Sequence, residues 1–156
     1  MIPQARPATL PVLFGLCATI VTAGCVGMEN ETDASASLAP LTAEDVQSAA
    51  LPGELGCSFS TPQEGPFLLA MGVVASDEPA AGLIKPGETA TRISAPGGFD
   101  AMLGGAAFSG EAGTVRVVLS GPATGGGESP PRPASLTYEP AGGAPQTLAG
   151  RWECGP

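Results

Sequence analysis

The sequence predicts a small all-β protein, an antiparallel barrel or sandwich closed by one disulfide. Short runs in which apolar and polar residues alternate recur along residues 54–156, as expected for strands with one buried face. Glycine and proline, 23 and 17 of the 156 residues, separate these runs and predict turns. Two cysteines lie near the two ends of the region, where a covalent bridge would close the sheet.

Residues 1–24 are predicted to be a cleaved secretory signal. One positive charge, Arg6, precedes an apolar run through Val21, and small residues then lead directly to Cys25. This order resembles the signal of bacterial lipoproteins, in which the cysteine thiol receives a diacylglycerol and cleavage makes it the mature N-terminus. The resemblance implies lipidation at Cys25 and a membrane as the partner of that lipid. An uncleaved membrane helix over residues 8–26 is the alternative.

The sequence around Cys25 also predicts the compartment. Glu29, Glu31 and Asp33 follow the apolar run with no Lys or Arg nearby, so this flank is expected outside the cytoplasm under either alternative. Val26, rather than Asp, follows the cysteine, and by resemblance to enterobacterial sorting this favours the outer membrane. We therefore expect a lipid-anchored protein of the cell envelope that faces the periplasm.

Two segments separate the expected anchor from the predicted sheet. Residues 25–41 are polar, acidic and small, and they predict a flexible tether. Residues 42–53 predict a short helix or a linker. Thr42 can cap a helix that begins at Ala43 and ends near Ala50, with Asp45 completing a capping box. The alternative is that this stretch only extends the tether.

The all-β domain is predicted to span residues 54–156. Strands are expected at residues 55–60, 67–75, 89–93, 106–109, 114–120, 134–139 and 146–154. In the clearest of them, Val115, Val117 and Leu119 share one face. The last two strands are expected to form a hairpin, which would place the final strand beside the first.

Two of the four cysteines remain for the folded domain, because Cys17 lies in the leader and Cys25 is the lipidation candidate. Cys57 and Cys154 each share a predicted strand face with large apolar residues, so both thiols are expected to face the core. A structural disulfide is favoured over a metal or redox pair, since the chain has neither a C-x-x-C spacing nor a histidine.

Composition excludes several function classes. A formal net charge of −9 disfavours nucleic acid and permits a basic envelope or host protein as partner. Without histidine, the Ser-His and Cys-His nucleophiles and the usual zinc sites are missing. Lys85 lies in an apparent turn and is expected to be solvated. Asp77 and Glu78, which are consecutive in the sequence, lie in another apparent turn and are also expected to be solvated. We therefore expect no catalytic residue, metal or cofactor.

An exposed, flexible loop is predicted over residues 124–133, TGGGESPPRP. Its Gly125, Gly126 and Gly127 are candidate binding residues, because loops on a rigid sheet commonly carry contacts. They do not form a phosphate-binding P-loop, which requires a lysine in a fixed frame.

The layout of the chain resembles the membrane-bound inhibitors of c-type lysozyme of Gram-negative bacteria, which have a lipoprotein leader and then a β-domain with a cysteine in its first strand and another at its C-terminus. In that family an eight-stranded barrel is closed by such a disulfide, and a loop containing serine and glycine enters the lysozyme cleft. Residues 94–99, SAPGGF, are similar to that loop. The resemblance implies Ser94, Gly97, Gly98 and Phe99 as binding residues.

The function expected from the sequence is a non-enzymatic, membrane-anchored lipoprotein of the cell envelope with a structural or binding task. One alternative is an inhibitor of a lysozyme-like hydrolase that acts through an exposed loop. Another is a barrel that binds a small ligand in an open apolar interior.

Overall fold

The computed structural model describes residues 36–156, which form a closed antiparallel barrel of eight strands with one additional short strand and two short helices. The all-β class and the disulfide are confirmed. The expected signal peptide, Cys25 and residues 25–35 of the expected tether lie outside the described residues. The elements are β1 Leu38–Ala39, α1 Ala43–Ala49, β2 Leu55–Ser60, β3 Leu68–Gly72, β4 Ala80–Pro86, β5 Thr91–Ala95, α2 Phe99–Met102, β6 Ala107–Gly110, β7 Gly113–Leu119, β8 Arg132–Pro140 and β9 Gln146–Gly155.

The barrel is an up-and-down meander. Strands β2 to β9 each pair with the next in the chain, and β9 pairs with β2 to close the ring. The loops therefore alternate between two ends. We call one the hairpin end, with the loops after β2, β4, β6 and β8, and the other the α2 end, with the loops after β3, β5 and β7. The expected hairpin between the last two strands is confirmed. The final strand, β9, also lies beside β2, the first strand of the predicted domain, as expected.

Side chains fill the interior of the barrel. Along β7, Val115 and Val117 are buried whereas Arg116 between them is exposed, which is the period of two that the sequence predicts. Phe59 and Leu136 have no water-accessible surface, and Trp152 retains 1%. A water-filled cavity would leave its lining residues accessible. The interior of this barrel is therefore a packed core, and it does not fit the alternative of a barrel that binds a small ligand in an open apolar interior.

Strand β4 was not predicted. Its sequence, AAGLIKP, contains poor strand formers between two prolines, which indicates a turn when only neighbouring residues are considered. The packing explains these small residues. A Cβ atom added at Gly82 would lie 3.0 Å from Ile93 Cγ1 and 3.1 Å from Phe108 Cδ1, so neighbouring side chains occupy the space that a larger residue would need.

The fold begins inside the range expected to be a tether. Leu38 and Ala39 form β1, which pairs with Pro86 and Lys85 of β4, and the Leu38 side chain is only 5% exposed. The Leu41 amide also donates to the carbonyl oxygen of Pro66 at 2.7 Å. Residues 38–41 are therefore part of the barrel assembly, because two leucines among the small polar residues supply apolar surface to bury.

Helix α1 forms where the sequence predicts it. The Thr42 side chain accepts from the Asp45 amide, and the Asp45 carboxylate accepts from the Thr42 amide at 2.8 Å, which is the expected capping box. The helix has no buried residue and lies on the outer face of β4 and β5, where Leu83 is 2% exposed. Leu83 is thus covered from outside the barrel.

Two cations hold α1 on that face. Lys85 Nζ lies 2.9 Å from Asp45 Oδ2, and Arg92 donates to the carbonyl oxygen of Ala49 in the last turn of the helix, where a positive charge is favourable. The hydrogen bond from Lys85, followed by those from Thr42, lowers the pKa of Asp45 from 3.8 to about 2. The expectation of a solvated turn lysine was wrong, because Lys85 lies in β4 and its side chain is 17% exposed.

Candidate functional site

Helix α2 closes one end of the barrel with apolar side chains. Phe99 is 7% exposed and Met102 has no accessible surface, so this single turn completes the core. Trp152, on the last strand, donates its indole N–H to the carbonyl oxygen of Met102 at 2.9 Å. This buried hydrogen bond fixes the helix to β9, although the two residues are 50 positions apart.

The structure divides the candidate loop of residues 94–99 between a strand, a turn and this helix. Ser94 is exposed on β5, and Gly97 has a φ of +76° in the turn that follows. Gly98 is buried, with its amide donating to Ser76 at 2.9 Å, and the Phe99 ring faces the core. Gly98 and Phe99 are therefore not exposed, which corrects the expectation that they reach into a partner. The glycines allow a tight turn, and the apolar Phe99 then enters the core.

The loop between β7 and β8 is the glycine-rich segment. The Thr124 amide and hydroxyl both donate to the carbonyl oxygen of Pro131, at 2.8 and 3.2 Å, and these bonds close the base of the loop. Gly125, Gly126 and Gly127 beyond them are exposed, and no atom of the described part of the chain lies within 4 Å of where their Cβ atoms would be. The predicted loop was too long by two residues, since Arg132 and Pro133 belong to β8.

Arg132 is the residue at this end of the barrel that sequence reasoning missed. It opens β8 on the same strand face as the buried Ala134 and Leu136, and it stands opposite Trp152 in the register. Its Nε atom is buried and lacks a hydrogen-bond partner, the only such side-chain atom in residues 36–156. Leaving a buried donor unpaired costs about 1–3 kcal/mol. The alternation of Arg132 with Ala134 and Leu136 could have predicted this position, because alternate residues of a strand share one face.

A cavity of about 270 Å³ lies beside this arginine at the α2 end, and we call it the Arg132 cavity. Its polar residues besides Arg132 are Glu128 and Ser129 of the glycine-rich loop. Its apolar residues are Leu103, Ala123, Pro130, Trp152 and Cys154. A guanidinium group in a mainly apolar hollow at the mouth of a barrel is suited to an anion that carries an apolar body.

The disulfide forms part of the same end of the barrel. Cys57 and Cys154 are opposite each other on β2 and β9, with their Cα atoms 4.0 Å apart, and they join positions 97 residues apart. Cys57 is 1% exposed, and Cys154 lines the Arg132 cavity. The predicted pairing is therefore confirmed, and the bridge also supports one wall of the cavity.

Two other depressions, both larger than the Arg132 cavity, lie on the outer faces of the barrel. One, of about 440 Å³, crosses β3, β2 and β9 and includes Met71 and Glu153. The other, of about 520 Å³, crosses β6 to β8, where Thr114 and Glu139 are hydrogen-bonded at 3.3 Å. Each is a mixed polar and apolar surface. Among the described residues that line them, no buried side-chain polar atom is left unpaired, in contrast to the Arg132 cavity.

Acidic residues of the described chain do not assemble into a metal centre. Within residues 36–156, no group of three or more Asp, Glu, Cys or His side chains is close enough to hold an ion. Asp77 and Glu78 are both exposed in the loop after β3, as expected for a solvated turn. In the same part of the chain, no helix has the length and apolar character needed to cross a membrane.

Comparison of the chain with protein families, with curated proteins and with solved structures finds no match.

Proposed function

We propose that this chain is a non-enzymatic lipoprotein of the cell envelope that holds a disulfide-closed barrel at the membrane as a binding module. The observation that carries the proposal is the disulfide between Cys57 and Cys154. Structural disulfides persist in oxidising compartments and are rare in the cytosol. The bridge therefore supports export, which is also what a lipoprotein signal ending at Cys25 would direct.

The described chain leaves the α2 end of the barrel uncovered. It starts at the hairpin end, where the Gly87 amide donates to the carbonyl oxygen of Ser37 at 2.9 Å. The Arg132 cavity and the glycine-rich loop lie at the opposite end of the barrel, which supports this end as the one that meets a partner.

The charge of the module favours a basic protein partner. The chain has a formal net charge of −9, and the loops and helix of the α2 end contribute Asp77, Glu78, Asp100 and Glu128, all of which are exposed. Opposite charges accelerate association and exclude partners of like charge. Nucleic acid, a polyanion, is not proposed as a partner.

A second proposed function is inhibition of a lysozyme-like hydrolase through the glycine-rich loop. The observation that favours it is the shape of this loop, which is closed at its base by Thr124 and exposed at its tip. Gly126→Trp would add bulk at the tip, where there is open space, and is expected to weaken inhibition of c-type lysozyme in a cell-lysis assay. Ala141→Trp at the hairpin end is the matched control. Equal inhibition by both variants, or none by the wild type, would contradict this function.

The main proposal is tested by the intact mass of the protein extracted from membranes. We expect a species that begins at Cys25 and carries acyl mass, with Cys57 and Cys154 protected from alkylation until a reductant is added. Cys25→Ser should remove the acyl mass and release the protein from the membrane fraction. An uncleaved chain, or a wild type without acyl groups, would overturn the anchor, and free thiols at both remaining positions would overturn the export argument.

A further inference from the structure

We propose that the Arg132 cavity binds a small organic carboxylate that carries an apolar body. The inference rests on the proposed role as a binding module and adds a small anionic ligand to the basic protein partner proposed above. It starts from the one buried side-chain donor in residues 36–156 that no protein group satisfies, the Nε atom of Arg132. A closed and otherwise packed barrel retains this unpaired donor beside a cavity, which is the arrangement expected when a ligand supplies the acceptor.

The guanidinium group defines the charged part of the ligand. Arg presents Nε–H and an Nη–H side by side in a planar fork, and this geometry matches the two oxygens of a carboxylate. Among the described residues, Arg132 is the only cationic one that lines the cavity, and Glu128 at the same cavity supplies a negative charge. A singly charged carboxylate is therefore preferred over a dianion such as a phosphate monoester, which would meet more repulsion.

The other walls define the apolar part of the ligand. Leu103, whose side chain is 45% exposed, Pro130 and the disulfide at Cys154 present hydrocarbon and sulfur surface. The indole N–H of Trp152 is already bonded to Met102, so it does not compete for a polar group of the ligand. A cavity of about 270 Å³ accommodates a small aliphatic chain or one amino-acid side chain, and the rest of a longer ligand would lie outside it.

The glycine-rich loop provides the way in. Glu128 and Ser129 of this loop form one wall of the cavity, and the residues before them are Gly125 to Gly127. Within residues 36–156, nothing packs within 4 Å of the Cβ positions of these glycines, so the glycine side of this wall has room to shift, whereas Ser129 lies against Gly155 of β9. Such a shift would expose Nε of Arg132 to the carboxylate.

The experiment titrates the full-length protein with hexanoate and, as a matched neutral probe, with hexanamide. Trp152 is the only tryptophan in the chain and lines the cavity, so its fluorescence reports on occupancy. We expect a saturable change with hexanoate and at least tenfold weaker binding of hexanamide. Peptides ending in leucine, with a free or an amidated C-terminus, distinguish a protein C-terminus from a free small acid as the source of the carboxylate.

Two variants with opposite expected effects complete the test. Arg132→Gln should weaken hexanoate binding at least tenfold, whereas Glu128→Gln should strengthen it severalfold by removing the like charge. Arg116→Gln, on the exposed outer face of β7, is the control for net charge and should change neither affinity.

Equal responses to hexanoate and hexanamide, no saturation below roughly 10 mM hexanoate, or a Glu128→Gln variant that binds no more tightly would each overturn the proposal. The Glu128→Gln and wild-type measurements decide it even where Arg132→Gln does not fold. A negative result would leave the acyl mass at Cys25 unaffected, so failure of this inference and failure of the anchored module are separable.

Discussion

Removing the disulfide should destabilise the barrel by an amount set by the length of chain that it closes. Cys57 and Cys154 are 97 residues apart in sequence, although they face each other on neighbouring strands. In the chain-entropy account, a loop of this length restricts the unfolded state by about 4.7 kcal/mol. For a barrel of this size, that loss corresponds to a decrease in Tm of roughly 15–20 °C.

The assay is urea unfolding of the wild type with and without reductant, followed by Trp152 fluorescence. Reduction should lower the free energy of unfolding and raise the m-value, because an unfolded chain without the bridge exposes more surface. The double variant Cys57→Ala and Cys154→Ala is the control, since reductant should not change its stability. A loss below roughly 1 kcal/mol with an unchanged m-value would refute the chain-entropy reasoning.

Three further predictions concern the packing around Gly82, the hydrogen bond from Trp152 to helix α2, and the pH dependence of stability. Gly82→Ala should cost about 1–3 kcal/mol in urea unfolding because its Cβ crowds Ile93 and Phe108, whereas Gly126→Ala in open space should change stability by less than ~0.5 kcal/mol. Trp152→Phe leaves the buried Met102 carbonyl without its donor and should cost about 1–3 kcal/mol, measured as a lower Tm; an unchanged Tm would contradict this. Because the pKa of Asp45 falls from 3.8 to about 2 on folding, its contribution to stability should be complete above pH 4 and lost as pH falls toward 2. A pH series from 5 to 2 should show this loss in the wild type beyond that of Asp45→Asn, and parallel curves would contradict it.

The strands that the sequence predicts correctly are those whose faces differ in polarity. In β7, the alternation of Val115 and Val117 with Arg116 is sufficient, because one face is buried and the other meets water. Cys57 and Cys154 were paired correctly for a related reason, since each lies on the inward face of its strand and no other cysteine remains for the domain. Local sequence patterns therefore predict the class of the fold and its disulfide.

The elements that the sequence does not predict are those defined by distant packing. Gly82 makes β4 a poor strand by propensity, yet Ile93 and Phe108 would have to shift to admit even a methyl group at this position. Helix α2 is a single turn that depends on a hydrogen bond from Trp152, 50 residues away from Met102. The prolines on either side of Arg132 are typical of a loop, and only the register of β8 against β9 shows that this residue faces inward.

The place of the disulfide in the meander also gives the barrel an unusual tolerance to backbone cleavage. The bridge and the chain between Cys57 and Cys154 together form one covalent ring, and the exposed Gly125 to Gly127 lie on that ring. A protease that cuts the chain once at these glycines would open the ring without separating the two pieces. Because β7 and β8 on either side of the cut remain paired in the sheet, the nicked protein would keep its barrel until the bridge is reduced.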